Sequence, residues 1–165
     1  TQALASEVGT NPDRRAMANG YYHLGDLCLE EGDLLTARHW YEEGLAVAQT
    51  LAQASGTDKD RQDLADTYSR LGDLCREGKD LKSARHYLEE ARSIYEALAE
   101  KTDLPKMWDH LGVRLFKLAT LSGVDSALLR RSLSIWKRLA KAYPDISRYS
   151  QYRDTLQQLL AQTED

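Results

Sequence analysis

The pentapeptide LGDLC occurs twice in this chain, at residues 24–28 and 71–75, at an offset of 47 residues. Aligning residues 4–53 with residues 51–100 needs no gap, and identities continue beyond the pentapeptide, as in Ala-Arg-His at 37–39 and 84–86. A repeat of this period indicates one structural unit used several times, in which each copy buries its apolar face against its neighbour.

A third, shorter unit follows at an offset of 40 to 41 residues, and a half-unit closes the chain. Trp108 takes the place of Tyr68, and Ser-Ile-Trp at 134–136 corresponds to Ser-Ile-Tyr at 93–95. The chain therefore divides into segments that we expect to form one domain of residues 1–165: the tail of a preceding repeat at about 1–8, repeat units at about 12–54, 58–101 and 104–143, and a capping helix at about 146–162.

Each unit has the composition and periodicity of two α-helices. Helix-forming residues abound, only 3 Pro occur in the 165 residues, and apolar residues recur at spacings of three and four along 17–28. Gly32 with Asp33, and Gly78 with Asp80, predict the end of one helix and the cap of the next. We place the helices at about 1–8, 12–31, 34–54, 58–77, 81–101, 104–121, 126–143 and 146–162.

Short loops between these helices predict antiparallel pairs. Stacked pairs predict an all-α fold, an α-α superhelix or solenoid. Gly25, Gly72 and Gly112 lie in the middle of helices, where each glycine costs about 1 kcal/mol relative to alanine. We therefore expect close helix contacts at these glycines, with the small residues Ala37 and Ala84 as their counterparts on the facing helices.

The spacing of aromatic, Leu-Gly and small residues resembles the tetratricopeptide repeat. The residues that carry the resemblance are Tyr21, Leu24, Gly25, Ala37, Tyr41 and Gly44 in the first unit, and Tyr68, Leu71, Gly72, Ala84, Leu88 and Ala91 in the second. The family repeat has about 34 residues, so this chain is similar to a long-helix variant. The resemblance implies a non-enzymatic solenoid that binds a protein or peptide in a concave groove lined by the first helix of each pair.

The resemblance also assigns groove-facing places to fifteen residues in three units. They are Asn19, Tyr22, Asp26, Leu29 and Glu30; Asp66, Ser69, Asp73, Arg76 and Glu77; and Lys106, Asp109, Val113, Phe116 and Lys117. Family members that clamp the acidic tails of heat-shock chaperones have Asn where this chain has Asp26 and Asp73. We therefore expect basic or mixed apolar-basic peptides to be preferred over acidic ones.

Charge is unevenly distributed along the chain. Residues 1–60 carry 4 basic and 10 acidic side chains, whereas residues 101–165 carry 11 basic and 7 acidic ones. On the helix that begins near 126, Arg130, Lys137 and Lys141 share one face, with Arg131 and Arg138 alongside. An acidic partner or a nucleic-acid backbone is one use for this face, and a solvated helix surface is the other.

Motifs typical of catalysis or metal binding are absent from the sequence. No P-loop, GxGxxG, HExxH, GxSxG or paired CxxC occurs, and the four histidines lie at repeat-equivalent places. Cys28 and Cys75 are also repeat equivalents, which favours small buried side chains over a disulfide or metal ligands. We expect no enzymatic activity, no cofactor and no metal.

No apolar run approaches the roughly 18 to 20 residues of a membrane span, and no secretion signal opens the sequence. These features predict a soluble, cytoplasmic protein, and a first residue other than Met suggests a piece of a larger regulator. The function we expect is a scaffold or sensing arm. The alternatives are a nucleic-acid or acidic-partner module using the basic third repeat, and a structural spacer that self-associates through an open N-terminal end.

Overall fold

The computed structural model describes residues 10–163, which form seven α-helices and contain no strand. The helices are α1 (Asn11–Glu30), α2 (Leu34–Ala54), α3 (Asp58–Glu77), α4 (Leu81–Thr102), α5 (Pro105–Ala119), α6 (Ser126–Ala142) and α7 (Ser147–Thr163). The seven helices predicted from residue 12 onward are confirmed, with ends that differ by at most two residues. The helix predicted at 1–8 lies outside the described residues.

The chain divides into two compact units, Thr1–Tyr87 and Leu88–Asp165, and the division falls within α4. In the first unit α1 packs on α2 and α2 on α3; in the second, α5 packs on α6 and α6 on α7. Loops of three to six residues join these packed helices, which makes neighbours antiparallel. The single domain of residues 1–165 and the unit boundaries given above stay predictions.

The loop between α1 and α2 follows from its sequence. Gly32 has a φ of 80°, in the left-handed region that favours glycine. The amide of Asp33 donates to the carbonyl of Cys28 at 2.8 Å and closes the end of α1. The Asp33 carboxylate then accepts from the amide of Thr36 at 3.0 Å and caps α2. The predicted stop at Gly32 and cap at Asp33 are confirmed.

The equivalent loop between α3 and α4 has a different backbone conformation. The predicted end of α3 at Gly78 is confirmed, because Gly78 is the C-cap that follows Glu77, but its φ is −72°. Lys79 takes the left-handed conformation instead, with a φ of 62°. At an offset of 47 residues Lys79 is the counterpart of Gly32, so the alignment identifies the strained position and the nearest glycine does not. Asp80 caps α4 as predicted, accepting from the amide of Ser83 at 3.1 Å.

The apolar core of the first unit links its helices through small and aromatic side chains. One buried cluster joins α2 to α3 and consists of Ala37, Tyr41, Leu71 and Leu74. The apolar stripe predicted along 17–28 of α1 is only partly directed to the core, because Leu24 is 41% exposed. The fully buried positions of α1 are Ala18 and Gly25, next to that stripe.

Aromatic rings cover two of the mid-helix glycines. A Cβ on Gly25 would lie 2.4 Å from Cε1 of Tyr41, and a Cβ on Gly112 would lie 2.8 Å from the ring of Trp136. The predicted close contacts are therefore present at both positions. The counterpart of Gly25 is an aromatic ring and not Ala37, because a flat ring fills the space that a missing side chain leaves.

Neither a membrane-crossing helix nor a metal-type cluster occurs in residues 10–163. No helix there is both long and apolar enough to cross a bilayer. No group of three or more His, Cys, Asp or Glu side chains comes together as a metal site requires. Cys28 and Cys75 are free thiols, and burial raises the pKa of the Cys75 thiol.

Candidate functional site

An open groove lies between α1 and α3 in the first unit, and we call it the α1–α3 groove. Its apolar part consists of the buried residues Ala18, Ala48 and Leu51. Its remaining lining is polar and charged: Arg15, Asn19, Tyr22, Lys59, Asp60, Asp63, Asp66, Thr67 and Arg70. Both walls belong to first helices of successive repeats.

Three pairs of side chains join α1 to α3, and the first lies near the start of both helices. Arg15 donates to Oδ1 of Asp60 from Nη2 at 2.6 Å and from Nε at 3.1 Å. The hydroxyls of Ser55 and Thr57 donate to Oδ2 of the same carboxylate, which is 1% exposed. Burial raises the pKa of this carboxyl, but the hydrogen bonds from Ser55, Thr57 and Arg15 outweigh it and lower the pKa to about 2. Asp60 is therefore an anion that holds the two repeats together.

The second pair is Tyr22 and Thr67, whose hydroxyl oxygens lie 2.6 Å apart. The Thr67 hydroxyl donates to the carbonyl of Asp63 at 2.8 Å, so the Tyr22 hydroxyl is the donor to Thr67. The Tyr22 ring lies directly over Gly44 of α2, where an added Cβ would meet Cε1 at 2.4 Å. Burial raises the pKa of Tyr22 above its ordinary value.

The third pair, Asp26 and Arg70, connects the groove with the core. Arg70 Nη1 lies 2.5 Å from Oδ1 of Asp26, and the Tyr41 hydroxyl donates to the same oxygen at 2.6 Å. The Arg70 guanidinium also lies over the rings of Tyr22 and Tyr41, 5.7 and 6.0 Å from their centroids. Burial, together with the Asp26 carboxylate, raises the pKa of Tyr41 to about 12. One arginine thus contacts both a groove residue and a core residue.

The groove residues suggested by the family resemblance fall into three classes in the first unit. Asn19, Tyr22 and Asp66 line the α1–α3 groove. Leu29 packs against the core cluster, and Ser69 is buried and donates its hydroxyl to a backbone carbonyl of its own helix. The others lie at or near the C-terminal ends of α1 and α3: Asp26, Glu30, Asp73, Arg76 and Glu77.

Sequence reasoning missed three cations of the groove, Arg15, Lys59 and Arg70. Lys59 pairs with Asp63 at 2.5 Å, and the two arginines form the pairs with Asp60 and Asp26 that are described above. The groove lining therefore carries three basic and three acidic side chains. Partners that join α1 to α3 are 44 or 45 residues apart, close to the repeat period, and a search at that spacing would have found both arginines.

In the second unit the terminal helix packs near the residues suggested for the groove. Asp109, nearly buried, forms an ion pair with Arg148 of α7. Phe116 lies edge-on to Tyr152, with ring centroids 6.5 Å apart, in a shallow depression that α5 and α7 share. Lys106 is exposed, and the remaining two residues, Val113 and Lys117, are half-buried.

All five residues of the basic face suggested on α6 are exposed: Arg130, Arg131, Lys137, Arg138 and Lys141. Arg131 forms an ion pair with Glu96 of α4. Arg138 lies 4.0 Å over the ring of Trp108, whose Nε1 donates to Asp103 at 2.8 Å. This contact forms one wall of a small cleft that also contains Pro105, Leu139, Ala142 and Tyr143.

Two segments of the chain, residues 18–50 and 65–98, match the tetratricopeptide repeat family. The chain resembles that family. Together the two segments cover less than half of the 165 residues, and they begin 47 residues apart. Tetratricopeptide repeats generally mediate protein–protein interactions, and their fold is in general a scaffold without catalytic function.

Two solved structures that resemble this chain, a designed repeat protein and a filament, have low sequence identity to it. The crystal structure of the de novo designed helical repeat protein DHR64 is 16% identical, with a TM-score of 0.54, and the match covers 94% of this chain and 96% of that chain. The DHF58 filament is 13% identical with a TM-score of 0.41, over 98% of this chain and 88% of that chain. No curated protein matches this sequence. The likeness to the designed repeat protein confirms the all-α, helical-repeat fold class.

Proposed function

We propose that this chain is a non-catalytic module that binds a protein or peptide in the α1–α3 groove, as a scaffold or sensing arm of a larger regulatory protein. The observation that carries the proposal is the position of the groove. It lies between the first helices of the two tetratricopeptide-like repeats, and it combines an apolar part with polar walls.

The polar walls suit an extended peptide. The exposed side chain of Asn19 offers both a donor and an acceptor, so it matches the N–H and C=O of a peptide unit. Asp63 and Asp66 lie three residues apart on α3 and present two carboxylates to the groove. A lysine or arginine of the ligand would compete with Lys59 for Asp63 and bind beside Asp66. The ligand class we propose is therefore a peptide with apolar and basic side chains.

Binding of charge-matched peptides tests this function. A fluorescein-labelled peptide of alternating Leu and Lys and its Leu and Glu counterpart would be titrated with the intact chain, and anisotropy would give each Kd. We expect the Lys peptide to bind more tightly, and Asp66→Asn to weaken it by about tenfold, which is 1.4 kcal/mol.

Glu31→Gln is the matched control, because it removes one exposed acidic charge at the end of α1, outside the groove lining. It should leave the Kd of the Lys peptide unchanged. Tighter binding of the Glu peptide, or equal losses from Asp66→Asn and Glu31→Gln, would reject the α1–α3 groove as the binding surface.

The basic face of α6 supports a second candidate function, the binding of an acidic partner. Lys137 and Lys141 are exposed on neighbouring turns, and no ion pair of either is found in residues 10–163. Nucleic-acid binding is the alternative at this face. Counterion release would make its affinity fall steeply with salt, with a log–log slope near the number of phosphates contacted. If this face binds either ligand, the double change Lys137→Gln and Lys141→Gln should weaken that binding. The control Lys82→Gln, on α4, should leave it unchanged.

A further inference from the structure

The α1 surface formed by Gly20, Leu24 and Leu27, here called the α1 leucine surface, is not covered by residues 10–163 as its counterpart in the second repeat is. Leu24 and Leu27 are 41% and 56% exposed. At the offset of 47 residues their counterparts are Leu71 and Leu74, which are 0% and 3% exposed. The residue type and the place in the repeat are the same. The difference therefore lies in the neighbour that covers them.

The second repeat shows which chemistry covers such a surface. Leu71 and Leu74 are buried by α2, through the small residue Ala37 and the aromatic Tyr41 one helical turn later. None of the seven described helices covers Leu24 and Leu27 in this way. Gly20 stands beside them where the second repeat has Thr67, and a Cβ there would have no neighbour within 4 Å. Within the part of the chain that the structure describes, the α1 leucine surface is thus open to close approach by a helix.

We propose that the α1 leucine surface is a docking site for an amphipathic helix of another protein, with a small residue and an aromatic residue at positions i and i+4. The argument is equivalence with the α2–α3 interface. There Leu71 and Leu74, the counterparts of Leu24 and Leu27, pack against a helix with such a pair, Ala37 and Tyr41 of α2. This site is separate from the α1–α3 groove and does not depend on the function proposed for it.

Charges beside the surface specify the partner further. Glu30 and Glu31 are exposed at the C-terminal end of α1. Electrostatic complementarity therefore favours a helix with basic residues at the end that lies beside these two glutamates.

A second copy of this chain fits less well. Its own Ala37 and Tyr41 are buried against α3. Its last helix, α7, exposes polar residues such as Gln151, Gln157 and Gln158 instead of a small and aromatic pair. A head-to-tail contact would therefore place amides on leucines and leave their hydrogen bonds unmade.

A synthetic peptide of residues 34–54 is a direct probe, because it carries the Ala37 and Tyr41 face that covers the equivalent leucines. Fluorescence anisotropy of the labelled peptide, titrated with the full chain, should show saturable binding. The double change Leu24→Gln and Leu27→Gln should weaken binding by at least about tenfold without lowering Tm, since both side chains are exposed. A Tyr41→Ala probe should lose affinity to a similar extent.

Leu35→Gln is the matched control, since Leu35 is 84% exposed and is not an equivalent of Leu71 or Leu74. It should bind the probe as the unchanged chain does. Absence of binding at about 1 mM chain, or equal binding by the double variant, overturns the proposal. Sedimentation that shows a dimer dissociated by the double change would also overturn it, and would assign the surface to a second copy.

Discussion

The first helices of the two repeats, α1 and α3, carry the same residues at several equivalent positions, but some of these are exposed in α1 and buried in α3. Leu24 is exposed where Leu71 is buried. Asp13 is exposed and bonded within its own turn to Thr10, whereas Asp60 is buried and bonded to Arg15 of the preceding repeat. Burial at these positions is thus a property of two adjacent repeats and not of one repeat sequence, as expected when each unit is stabilised mainly by its neighbour.

Truncation of the two equivalent leucines, Leu71 and Leu24, tests this comparison with the largest expected effect on stability. Leu71→Ala leaves a cavity between α2 and α3 and should lower the free energy of unfolding by about 2–5 kcal/mol. Leu24→Ala removes a side chain that is already 41% exposed and should cost less than about 1 kcal/mol. Urea denaturation followed by circular dichroism measures both. Equal losses would show that the two repeats are enclosed alike.

Two glycines of α1 provide the next test. Gly25→Ala forces a Cβ into the Tyr41 ring and should destabilise the chain by about 1–3 kcal/mol. Gly20→Ala adds a Cβ that meets no neighbour and should stabilise α1 by up to about 1 kcal/mol, because alanine is the better helix former. Thermal melts of the two variants should therefore shift in opposite directions. A shift in the same direction would contradict the packing of Tyr41 on α1.

Acid should weaken the contact between the repeats through Asp60. Its pKa in the folded chain is lowered from 3.8 to about 2, so the carboxylate contributes about 2 kcal/mol to stability at pH 7. Because the folded pKa lies below the unfolded one, this contribution is complete above about pH 5 and is lost as the pH falls to about 2.

Asp60→Asn should therefore flatten the dependence of unfolding free energy on pH between about 5 and 2. Asp13→Asn is the control from the first repeat, since its exposed carboxylate bonds only within its own turn. It should leave most of that dependence in place. If Asp60→Asn keeps the acid transition of the unchanged chain, Asp60 does not stabilise the repeats as an anion.

The smallest effect concerns the two left-handed residues that follow α1 and α3. Lys79→Gly relieves the strain of about 1–2 kcal/mol that a non-glycine residue has at a φ of 62°, partly offset by the larger entropy of glycine in the unfolded chain, and should raise stability by up to about 1 kcal/mol. Gly32→Ala imposes the same strain in the first repeat and should lower stability by about 1 kcal/mol. Differential scanning calorimetry of both variants would resolve these opposite shifts. A stabilising Gly32→Ala would contradict the assigned turn.

Local features of the fold were predictable because they depend on neighbouring residues. The helices follow from apolar spacing, and the cap of α2 follows from Asp33, whose carboxylate reaches an amide three residues away. The left-handed conformation of Lys79 was harder to predict, because lysine has no preference for that conformation. Only its alignment with Gly32 does.

Contacts between helices were predictable only in part. The sequence indicates that a helix lies close to Gly25. Which side chain covers Gly25 depends on the axial offset between α1 and α2. The ring of Tyr41 covers it because this ring reaches further than the methyl group of Ala37. Likewise, the places taken from the family resemblance include Asn19, Tyr22 and Asp66 of the groove. They omit Arg15 and Arg70, whose long side chains cross from one repeat to the next.

The ring of Trp136 lies on the backbone of Gly112, is fully buried and stacks on Tyr152 with centroids 4.4 Å apart. Its emission is therefore expected at short wavelength and should report when the second unit loses its core. Trp40 is half-buried beside Tyr21 and supplies a separate signal from the first unit. Variants that retain one of these two tryptophans, with Trp108 also replaced by phenylalanine, would give two optical readings of a single denaturation. Coincident transitions would show that this chain unfolds in one cooperative step.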